Sequence, residues 1–320
     1  MVTLKKYRNK KIAIYGMGIT GRSAATAFKK INTQIFCWDD NAKVRKEIKK
    51  NNFVVSKFWK KQKKIDTIVI SPGIDIEKCK IKNYLKKNLK KIITDLDLFF
   101  EMNKKALIIS ITGTNGKSTT CKILEKILKA AHYNVATVGN IGNPILYSNK
   151  KKNAFILEVS SYQLQYSKLF RSKHAAILNI SPDHLERHKS MKNYIKIKSK
   201  IFFAQNNSDY SYINLRNKHS KSVKKIFKDK KIKSNLILVN KTCCNLLLKK
   251  IVNKYFTGQS NIENLAFVYK IAKKLKIKDK IIIRAINGFR GLPHRQEVVF
   301  SNKKLLCIND SKATSFDASL

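Results

Sequence analysis

Short apolar runs alternate along the chain with lysine-rich stretches of helical character. KIAIYG, TIVISPG, ALIISITG, AFILEVS and AAILNIS are examples of such runs, and β-branched residues are common in them. Strands that are separated by helices pair in parallel, because each crossover returns the chain to the same edge of the sheet. The pattern therefore predicts an α/β fold with parallel sheets. Its ligands are expected at the loops that follow the strands.

The order of the runs also predicts domains. At 320 residues the chain can form two domains with proper cores. The segment DLDLFFEMNKKA separates the first four strands from the next four, which places a boundary near Thr94, and the strand-like KLLCINDSKATS starts a new βα unit after GFRGLPHRQEVV. We predict a Rossmann-like domain at residues 1–93, a central ATP-binding domain at 94–298 and the start of a third, Rossmann-like domain at 299–320.

The charge of the chain is strongly positive, with 68 Lys and Arg against 20 Asp and Glu and a formal net charge of +48. Only nine of the basic residues are Arg, and the lysines are spread over the whole sequence. A nucleic-acid surface usually clusters its charge and uses Arg for bidentate contacts, so a general lysine bias is favoured over a specific nucleic-acid partner.

The cysteines and the N-terminus bear on the compartment. None of the six cysteines forms a CxxC pair or a zinc-finger spacing. The first apolar run is too short and too soon interrupted for a signal peptide or a membrane-spanning helix. We expect a protein of the reducing cytoplasm without membrane insertion.

The first glycine-rich loop is GMGITG, residues 16–21. It follows a strand, precedes a helical stretch and is followed after about 20 residues by Asp39 and Asp40, as in dinucleotide-binding sites. Alone it indicates a nicotinamide-dependent dehydrogenase. Any nucleoside diphosphate fits the same geometry, however, because the glycines admit a diphosphate to a helix N-terminus. A purely structural tight turn is the third alternative.

The second loop is GTNGKST, residues 113–119. Its backbone amides and Lys117 would surround the phosphates of ATP, and the Ser118 hydroxyl would bind Mg²⁺. The loop departs from the general phosphate-loop pattern, since Ile111 stands where the first glycine belongs. One loop for a nucleotide-linked substrate and one for ATP explains why the chain carries two.

Further motifs follow in a fixed order from one end of the chain to the other. They are SPGI (71–74), GNIG (139–142), LEVSSYQL (157–164), NISPDHLERH (179–188), YIKIKSKIF (194–202), GLPHRQE (291–297) and INDSKATS (308–315). With them the sequence resembles the Mur ligase family, and EVSSYQL, GLPHR and NDSKAT resemble its D-glutamate-adding branch. The alternatives are another Mur ligase or a folylpolyglutamate synthetase-like amide ligase.

The resemblance implies an ATP-dependent ligase of peptidoglycan synthesis that joins D-glutamate to UDP-N-acetylmuramoyl-L-alanine through an acyl phosphate. It also implies two Mg²⁺ ions and a monomer. Family members continue past the DSKATS segment as a third domain, whereas this sequence reaches Leu320. For the 320-residue chain alone we expect binding of the UDP substrate, slow ATP hydrolysis and little D-glutamyl product.

The resemblance also assigns the site residues. The residues implied for ATP are Gly113, Thr114, Asn115, Gly116, Lys117, Ser118, Thr119, Asn261, Arg295 and Asp310. Those implied for the UDP substrate are Gly18, Ile19, Thr20, Asp39, Ser71, Gly73, Asn140, Ser161 and Gln163. Lys312 and Thr314 are implied for D-glutamate, and Ser118, Glu158, His184 and Lys198 for metal. Lys117, His184 and Lys198 are the implied catalytic residues.

Two of these assignments have reasons of their own. Glu158 and His184 each follow a strand, where a carboxylate suits Mg²⁺ and an imidazole can orient a metal or a substrate oxygen.

In the family, a lysine four residues after a tyrosine is carbamylated by CO₂ and binds the second Mg²⁺. Tyr194 and Lys198 have this spacing, which places them on one helix face. A solvated surface charge is the alternative for Glu158 and Lys198, and an ordinary loop histidine is the alternative for His184.

Overall fold

The computed structural model describes residues 4–60, 64–140, 145–147, 152–256, 258–295, 297–302 and 304–312. The N-terminal part forms a parallel four-stranded sheet in the order β2-β1-β3-β4. Its strands are β1 (Lys11–Tyr15), β2 (Gln34–Trp38), β3 (Thr67–Ile70) and β4 (Ile92–Ile93), and its helices are α1 (Ile19–Lys29), α2 (Ala42–Lys50) and α3 (Lys82–Lys87). The buried face of α1 consists mainly of small side chains, which lets the helix lie close to the sheet.

The central part forms a parallel six-stranded sheet in the order β10-β9-β8-β5-β7-β6. Its strands are β5 (Leu107–Thr112), β6 (Val135–Gly139), β7 (Ala154–Glu158), β8 (His174–Ile177), β9 (Tyr210–Asn214) and β10 (Asn235–Val239). Both parallel sheets confirm the predicted fold class. Because β5 lies between β7 and β8, the loops after these three strands meet at one edge of the sheet.

The helices of the central part connect these strands and cover both faces of the sheet. They are α4 (Asp95–Met102), α5 (Lys117–Ala130), α6 (Ser161–Tyr166), α7 (Leu185–His188), α8 (Met191–Ser199), α9 (Ser220–Asp229), α10 (Asn245–Leu248), α11 (Gln259–Lys274) and α12 (Asp279–Asn287). Single turns of 3-10 helix occur at Lys5–Tyr7, Leu89–Lys91, Ile145–Tyr147, Lys200–Phe202, Lys241–Cys244 and Lys254–Phe256. None of the helices in the described ranges is long and apolar enough to cross a bilayer.

One apolar cluster joins the two sheets. It contains Phe28 of α1, Phe99 of α4 and Phe155 of β7, all buried. The rings of Phe99 and Phe155 meet edge to face with centroids 5.1 Å apart. A shared core of this kind holds the loops of the two sheets at a fixed distance from each other.

The last two strands pair differently from the others. β11 (Glu297–Ser301) and β12 (Leu306–Asn309) form a two-stranded antiparallel sheet. The KLLCIND run, which predicts the first strand of a new βα unit, forms β12 and joins neither parallel sheet. Thr94, near the predicted boundary, caps α4, and its backbone N–H donates to the Asp97 carboxylate at 2.9 Å. The bounds of the three domains remain predictions.

Candidate active site

A cavity of about 260 Å³ lies where the loops after β5, β7 and β8 meet. It is lined by Thr114, Asn115, Gly116, Lys117, Ser118, Thr119, Asn140, Glu158, Asp183, His184, Tyr255, Ser260, Asn261, Asn264, Arg295, Asp310 and Lys312. The structure thus brings together most of the residues that the sequence assigns to ATP, metal and D-glutamate. Gly113 and Lys198 lie beside the cavity rather than in its lining, and Thr314 lies outside the described residues.

The phosphate loop between β5 and α5 is held by Asn179 and lies against Asn264. The Asn179 side-chain oxygen accepts hydrogen bonds from the backbone N–H groups of Thr114 (3.1 Å) and Asn115 (2.8 Å). Gly116 has φ +79°, and a Cβ there would lie 2.3 Å from Oδ1 of Asn264. Only glycine fits this position, so the loop is shaped before any ligand arrives.

Lys117 folds back over the loop that precedes it. Its Nζ donates to the carbonyl oxygens of Gly113 at 3.0 Å and Thr114 at 2.6 Å. Burial lowers the pKa of Lys117, while the nearby Glu158 and Asp183 carboxylates oppose that shift. The ammonium group is therefore held over the loop by carbonyl dipoles, which phosphate oxygens can replace.

Oxygen donors face each other at the start of α5. The Ser118 hydroxyl donates to Oε2 of Glu158 at 2.7 Å, and Nδ2 of Asn140 donates to Oε1 of the same carboxylate at 3.1 Å. Mg²⁺ prefers such oxygen ligands and usually takes one or two carboxylates together with phosphate oxygens. Within the described residues no group of three or more His, Cys, Asp or Glu side chains is arranged as a metal site. The donor set fits an ion that is bound jointly with phosphate.

Lys198 lies directly behind the phosphate loop. It is 2% exposed, and its Nζ donates to the carbonyl of Gly113 at 2.8 Å and lies 4.7 Å from the ring centroid of Tyr194. Burial, and secondly the charge of Lys117, lower the pKa of Lys198 well below its usual value. The tyrosine and the lysine share one buried face of α8, as the i, i+4 spacing predicts.

His184 lies at the N-terminus of α7 in a left-handed conformation with φ +53°. Its Nε2 lies 3.4 Å from Oδ2 of Asp183. The imidazole ring is tilted against Tyr162, with centroids 4.9 Å apart. The imidazole is thus placed between the phosphate loop and a second cavity that Tyr162 lines.

That second cavity has a volume of about 750 Å³ and opens between the two sheets. It is lined by Gly16, Gly18, Ile19, Thr20, Asp39, Ser71, Pro72, Gly73, Ile74, Asp75, Lys78, Gly139, Asn140, Ser160, Tyr162, Gln163, Glu186 and Arg187. All residues that the sequence assigns to the UDP substrate are among them except Ser161. The Ser161 side chain is buried and lies 3.0 Å from Nε2 of His188, whereas its neighbour Ser160 lines the cavity.

The glycines of the first loop differ in their surroundings. Gly16 and Gly21 are tightly packed, whereas the space at Gly18 is open. A Cβ on Gly21 would lie 2.0 Å from the carbonyl oxygen of Gly16, and Gly16 itself has φ +89°. A Cβ on Gly18 would meet no atom within 4 Å. The Asp39 carboxylate accepts from the N–H groups of Met17 (2.7 Å) and Asn41 (2.9 Å) and so holds the loop open around Gly18.

Comparison with known families agrees with this pair of cavities. A model described as the Mur ligase middle domain matches residues 111–278, and a model described as the MurD-like N-terminal domain of Mur ligases matches residues 10–93. The chain belongs to the Mur ligase family. The alternative of a nicotinamide-dependent dehydrogenase is therefore not favoured.

Individual relatives extend the match over nearly the whole chain. The chain is 35% identical to the UDP-N-acetylmuramoylalanine--D-glutamate ligase of Rickettsia prowazekii, over 98% of this chain and 74% of the relative. It is 37% identical to the enzyme of the same name from Buchnera aphidicola, over 97% of this chain and 73% of the relative. MurF from Acinetobacter baumannii shares the fold, with a TM-score of 0.55 and 13% identity over 96% of this chain and 66% of that chain.

The far end of the smaller cavity in this Mur ligase is formed by α11 and the segment before β11. Nδ2 of Asn261 donates to the carbonyl of Tyr255 at 2.9 Å, and Gly291, with φ +78°, brings the backbone against the Tyr255 ring. Oδ2 of Asp310 is buried and has no hydrogen-bond partner in the described part of the chain. An unpaired carboxylate oxygen in a cavity is costly unless a ligand satisfies it.

Sequence reasoning missed several residues of this site. Asp183, which lines the smaller cavity, and Asn179, which holds the phosphate loop, both lie within the NISPDHLERH motif. Asn264 lies three residues after Asn261 on the same face of α11, a spacing that was available as a signal. Nothing in the sequence around Tyr255 indicated a role at the cavity.

Proposed function

We propose that the chain joins D-glutamate to UDP-N-acetylmuramoyl-L-alanine with consumption of ATP, in a cytoplasmic step of peptidoglycan synthesis. The names of the matched relatives support this activity. The observation that carries the proposal is the position of Asn140, which lines both cavities. A substrate held by its nucleotide in the larger cavity can present its other end to the phosphate loop in the smaller one.

An amide does not form from a free carboxylate and an amine without activation. In the proposed first step the alanyl carboxylate attacks the γ-phosphorus of ATP, and ADP leaves with the electron pair of the broken P–O bond. The amine of D-glutamate then attacks the acyl carbon, phosphate leaves, and the amine nitrogen loses a proton. Mg²⁺ bound at Ser118 and Glu158 would offset charge on the phosphates during the first step.

The residues of this chain contribute mainly position and charge. Nζ of Lys117 would exchange the carbonyls of Gly113 and Thr114 for phosphate oxygens, and the N-terminus of α5 would direct backbone N–H groups at the same phosphates. Asn140 and Ser118 hold the Glu158 carboxylate in one orientation. We assign the adenine end of the nucleotide to Asn261, Arg295 and Asp310, which line the same cavity.

We further propose that Lys198 is carbamylated and holds a second Mg²⁺ together with His184. The amine of Lys198 must be neutral to add to CO₂, and its burial behind the phosphate loop favours the neutral form. The product is an anion with two oxygens beside Lys117, whose charge would then be offset.

Lys312 is assigned to D-glutamate because it lines the smaller cavity. Thr314 keeps that assignment from the resemblance alone, and a monomer is expected on the same ground.

The proposal is tested by binding and by product analysis. Calorimetry should detect UDP-N-acetylmuramoyl-L-alanine, and with stoichiometric enzyme, ATP and Mg²⁺, mass spectrometry should detect the D-glutamyl product with D-glutamate but not with L-glutamate. Glu158→Gln should remove phosphate release, while Glu125→Gln, the same change at a carboxylate of α5 that pairs with Lys122 and Lys129, should not. Tight NADH binding without binding of the UDP substrate would contradict the proposal.

A further inference from the structure

Arg187 lines the larger cavity and lies three residues after His184, which lines the smaller one. It belongs to the short helix α7, which begins directly after His184, yet its side chain reaches the loop after β3 in the N-terminal sheet. That side chain is only 8% exposed. A buried guanidinium needs partners for most of its donors, so its contacts show what it holds together.

On the N-terminal side the guanidinium meets three successive carbonyl groups of the SPGI loop. Nη2 donates to the carbonyls of Ile74 and, at 3.5 Å, of Pro72, while Nη1 donates to that of Gly73 at 3.4 Å. The carboxylate of Asp75 adds opposite charge 3.9 Å from Nε. The planar guanidinium of arginine has several N–H donors and can bind three carbonyls at once, whereas the compact ammonium group of lysine cannot.

On the central side the same group stacks on an aromatic ring. The guanidinium carbon lies 5.3 Å from the ring centroid of Tyr162, and the His184 imidazole contacts that ring with centroids 4.9 Å apart. Nε of Arg187 donates to the Gln165 side chain at 2.8 Å, which fixes the guanidinium relative to α6. One continuous series of contacts thus runs from the SPGI loop through Arg187 and Tyr162 to His184.

We propose that Arg187 is a positioning residue that couples occupation of the larger cavity to the geometry of the phosphate and metal site. The inference rests on the proposed function, because it takes the larger cavity as the site of the UDP substrate and the smaller as the site of ATP. A ligand against the SPGI loop fixes the carbonyls that Arg187 binds, and the arginine in turn fixes the ring against which His184 lies. Coupling of this kind is reciprocal, so nucleotide in the smaller cavity must also order the SPGI loop.

The first test measures the coupling factor, the ratio of the Kd of ADP with Mg²⁺ in the absence and presence of UDP-N-acetylmuramoyl-L-alanine. In the wild type we expect a factor of about 5 or more. In Arg187→Met and Arg187→Lys it should fall to within about 2-fold of unity, since neither side chain reproduces the three carbonyl contacts. Arg284→Met, the same substitution at an exposed position of α12, should keep the wild-type factor. A wild-type factor near one, or an unchanged factor in a folded Arg187→Lys, would overturn the proposal.

The second test needs no UDP substrate, so it separates this inference from the proposed function. Amide hydrogen exchange reports on Ile74 and Ile76, whose N–H groups are bonded to the carbonyl of Ser71 and the hydroxyl of Tyr166. Addition of ADP and Mg²⁺ should slow exchange at these amides in the wild type and in Arg284→Met but not in Arg187→Lys. Equal slowing in Arg187→Lys overturns the proposal that Arg187 couples the two cavities. Failure of the wild type to bind UDP-N-acetylmuramoyl-L-alanine contradicts only the proposed function.

Discussion

The amino group of Lys198 donates a hydrogen bond to the carbonyl of Gly113 across 2.8 Å, although the two residues lie 85 positions apart in the sequence. The contact attaches the buried face of α8 to the first residue of the phosphate loop. A chemical change at Lys198 therefore acts directly on the loop that is proposed to hold ATP. The two mutational predictions that follow concern the two lysines at this loop.

Lys198→Ala is expected to be nearly inactive, and short carboxylates such as acetate should restore part of the activity by taking the place of the carbamate. The substitution removes both the proposed metal ligand and the bond to Gly113. Lys196→Ala, an exposed lysine of the same helix, is the matched control and should keep wild-type activity. Phosphate release with and without acetate measures the effect, and a ¹³C resonance from ¹³CO₂ on the wild type alone would identify the carbamate. Wild-type rates for Lys198→Ala at saturating Mg²⁺ would refute the assignment.

Lys117→Ala is expected to lower ATP turnover by at least about 100-fold, since a preorganised cation at the transferring phosphate is removed. Binding of UDP-N-acetylmuramoyl-L-alanine should change by less than about 2-fold, because the two ligands are proposed to bind in separate cavities. Lys129→Ala, in the last turn of the same helix, serves as the control. Phosphate release and calorimetry give the two values. An equal loss for ATP and for the UDP substrate would contradict the assignment of the two glycine loops to different ligands.

Much of the fold was predictable because its signals are local. Each of the five apolar runs quoted above forms a strand, and both glycine loops stand between a strand and a helix. The spacing of Tyr194 and Lys198 likewise determines that they share a face of α8, whatever the helix packs against.

The remaining features depend on contacts between distant segments. Asn179 reaches the phosphate loop only because β8 lies beside β5. The sequence of a single strand does not specify which strands it pairs with. The run that forms β12 has the composition of a strand but does not specify an antiparallel partner in β11. Whether Ser160 or Ser161 faces the larger cavity is decided by where α6 begins, and helix ends are the least certain part of a pattern.

Acidification is expected to destabilise the fold through two buried histidines. Burial, and secondly nearby Lys173, lower the pKa of His174 from its ordinary 6.5 to about 4, and burial likewise lowers that of His188 to about 4. The unfolded chain takes up these protons first, so the stability is fully present above pH 6.5 and is lost as the pH falls toward 4. Between pH 7 and pH 5 each histidine should remove about 2 kcal/mol from the free energy of unfolding.

Urea unfolding at both pH values measures this loss. His174→Asn should reduce the pH-dependent loss by about 2 kcal/mol, because the contribution of this histidine is then removed. The comparison uses the difference between the two pH values, so a general destabilisation by the mutation does not affect it. His132→Asn, at an exposed histidine, is the control. The same loss in His174→Asn as in the wild type would show that His174 does not titrate in this range.

Two glycines of the first loop should respond to alanine in opposite ways. In Gly21→Ala the new Cβ would lie 2.0 Å from the carbonyl oxygen of Gly16, a backbone atom that cannot move without opening the turn between β1 and α1. We expect a loss of roughly 2–4 kcal/mol in the free energy of unfolding, in the range of overpacking and backbone strain. In Gly18→Ala the Cβ meets nothing within 4 Å, so stability should change by less than about 1 kcal/mol.

For binding of the UDP substrate we expect the opposite order, with the marked effect at Gly18. The space above Gly18 opens into the larger cavity at the N-terminus of α1, where the proposed diphosphate approaches the backbone. A methyl group there should weaken binding of UDP-N-acetylmuramoyl-L-alanine by about 10-fold or more, since about 1.4 kcal/mol of lost contact suffices. Thermal unfolding and calorimetry on the two variants give stability and affinity separately. If Gly18→Ala bound the UDP substrate as tightly as the wild type, the diphosphate would have to lie elsewhere in the cavity, and the first glycine loop would be a structural turn.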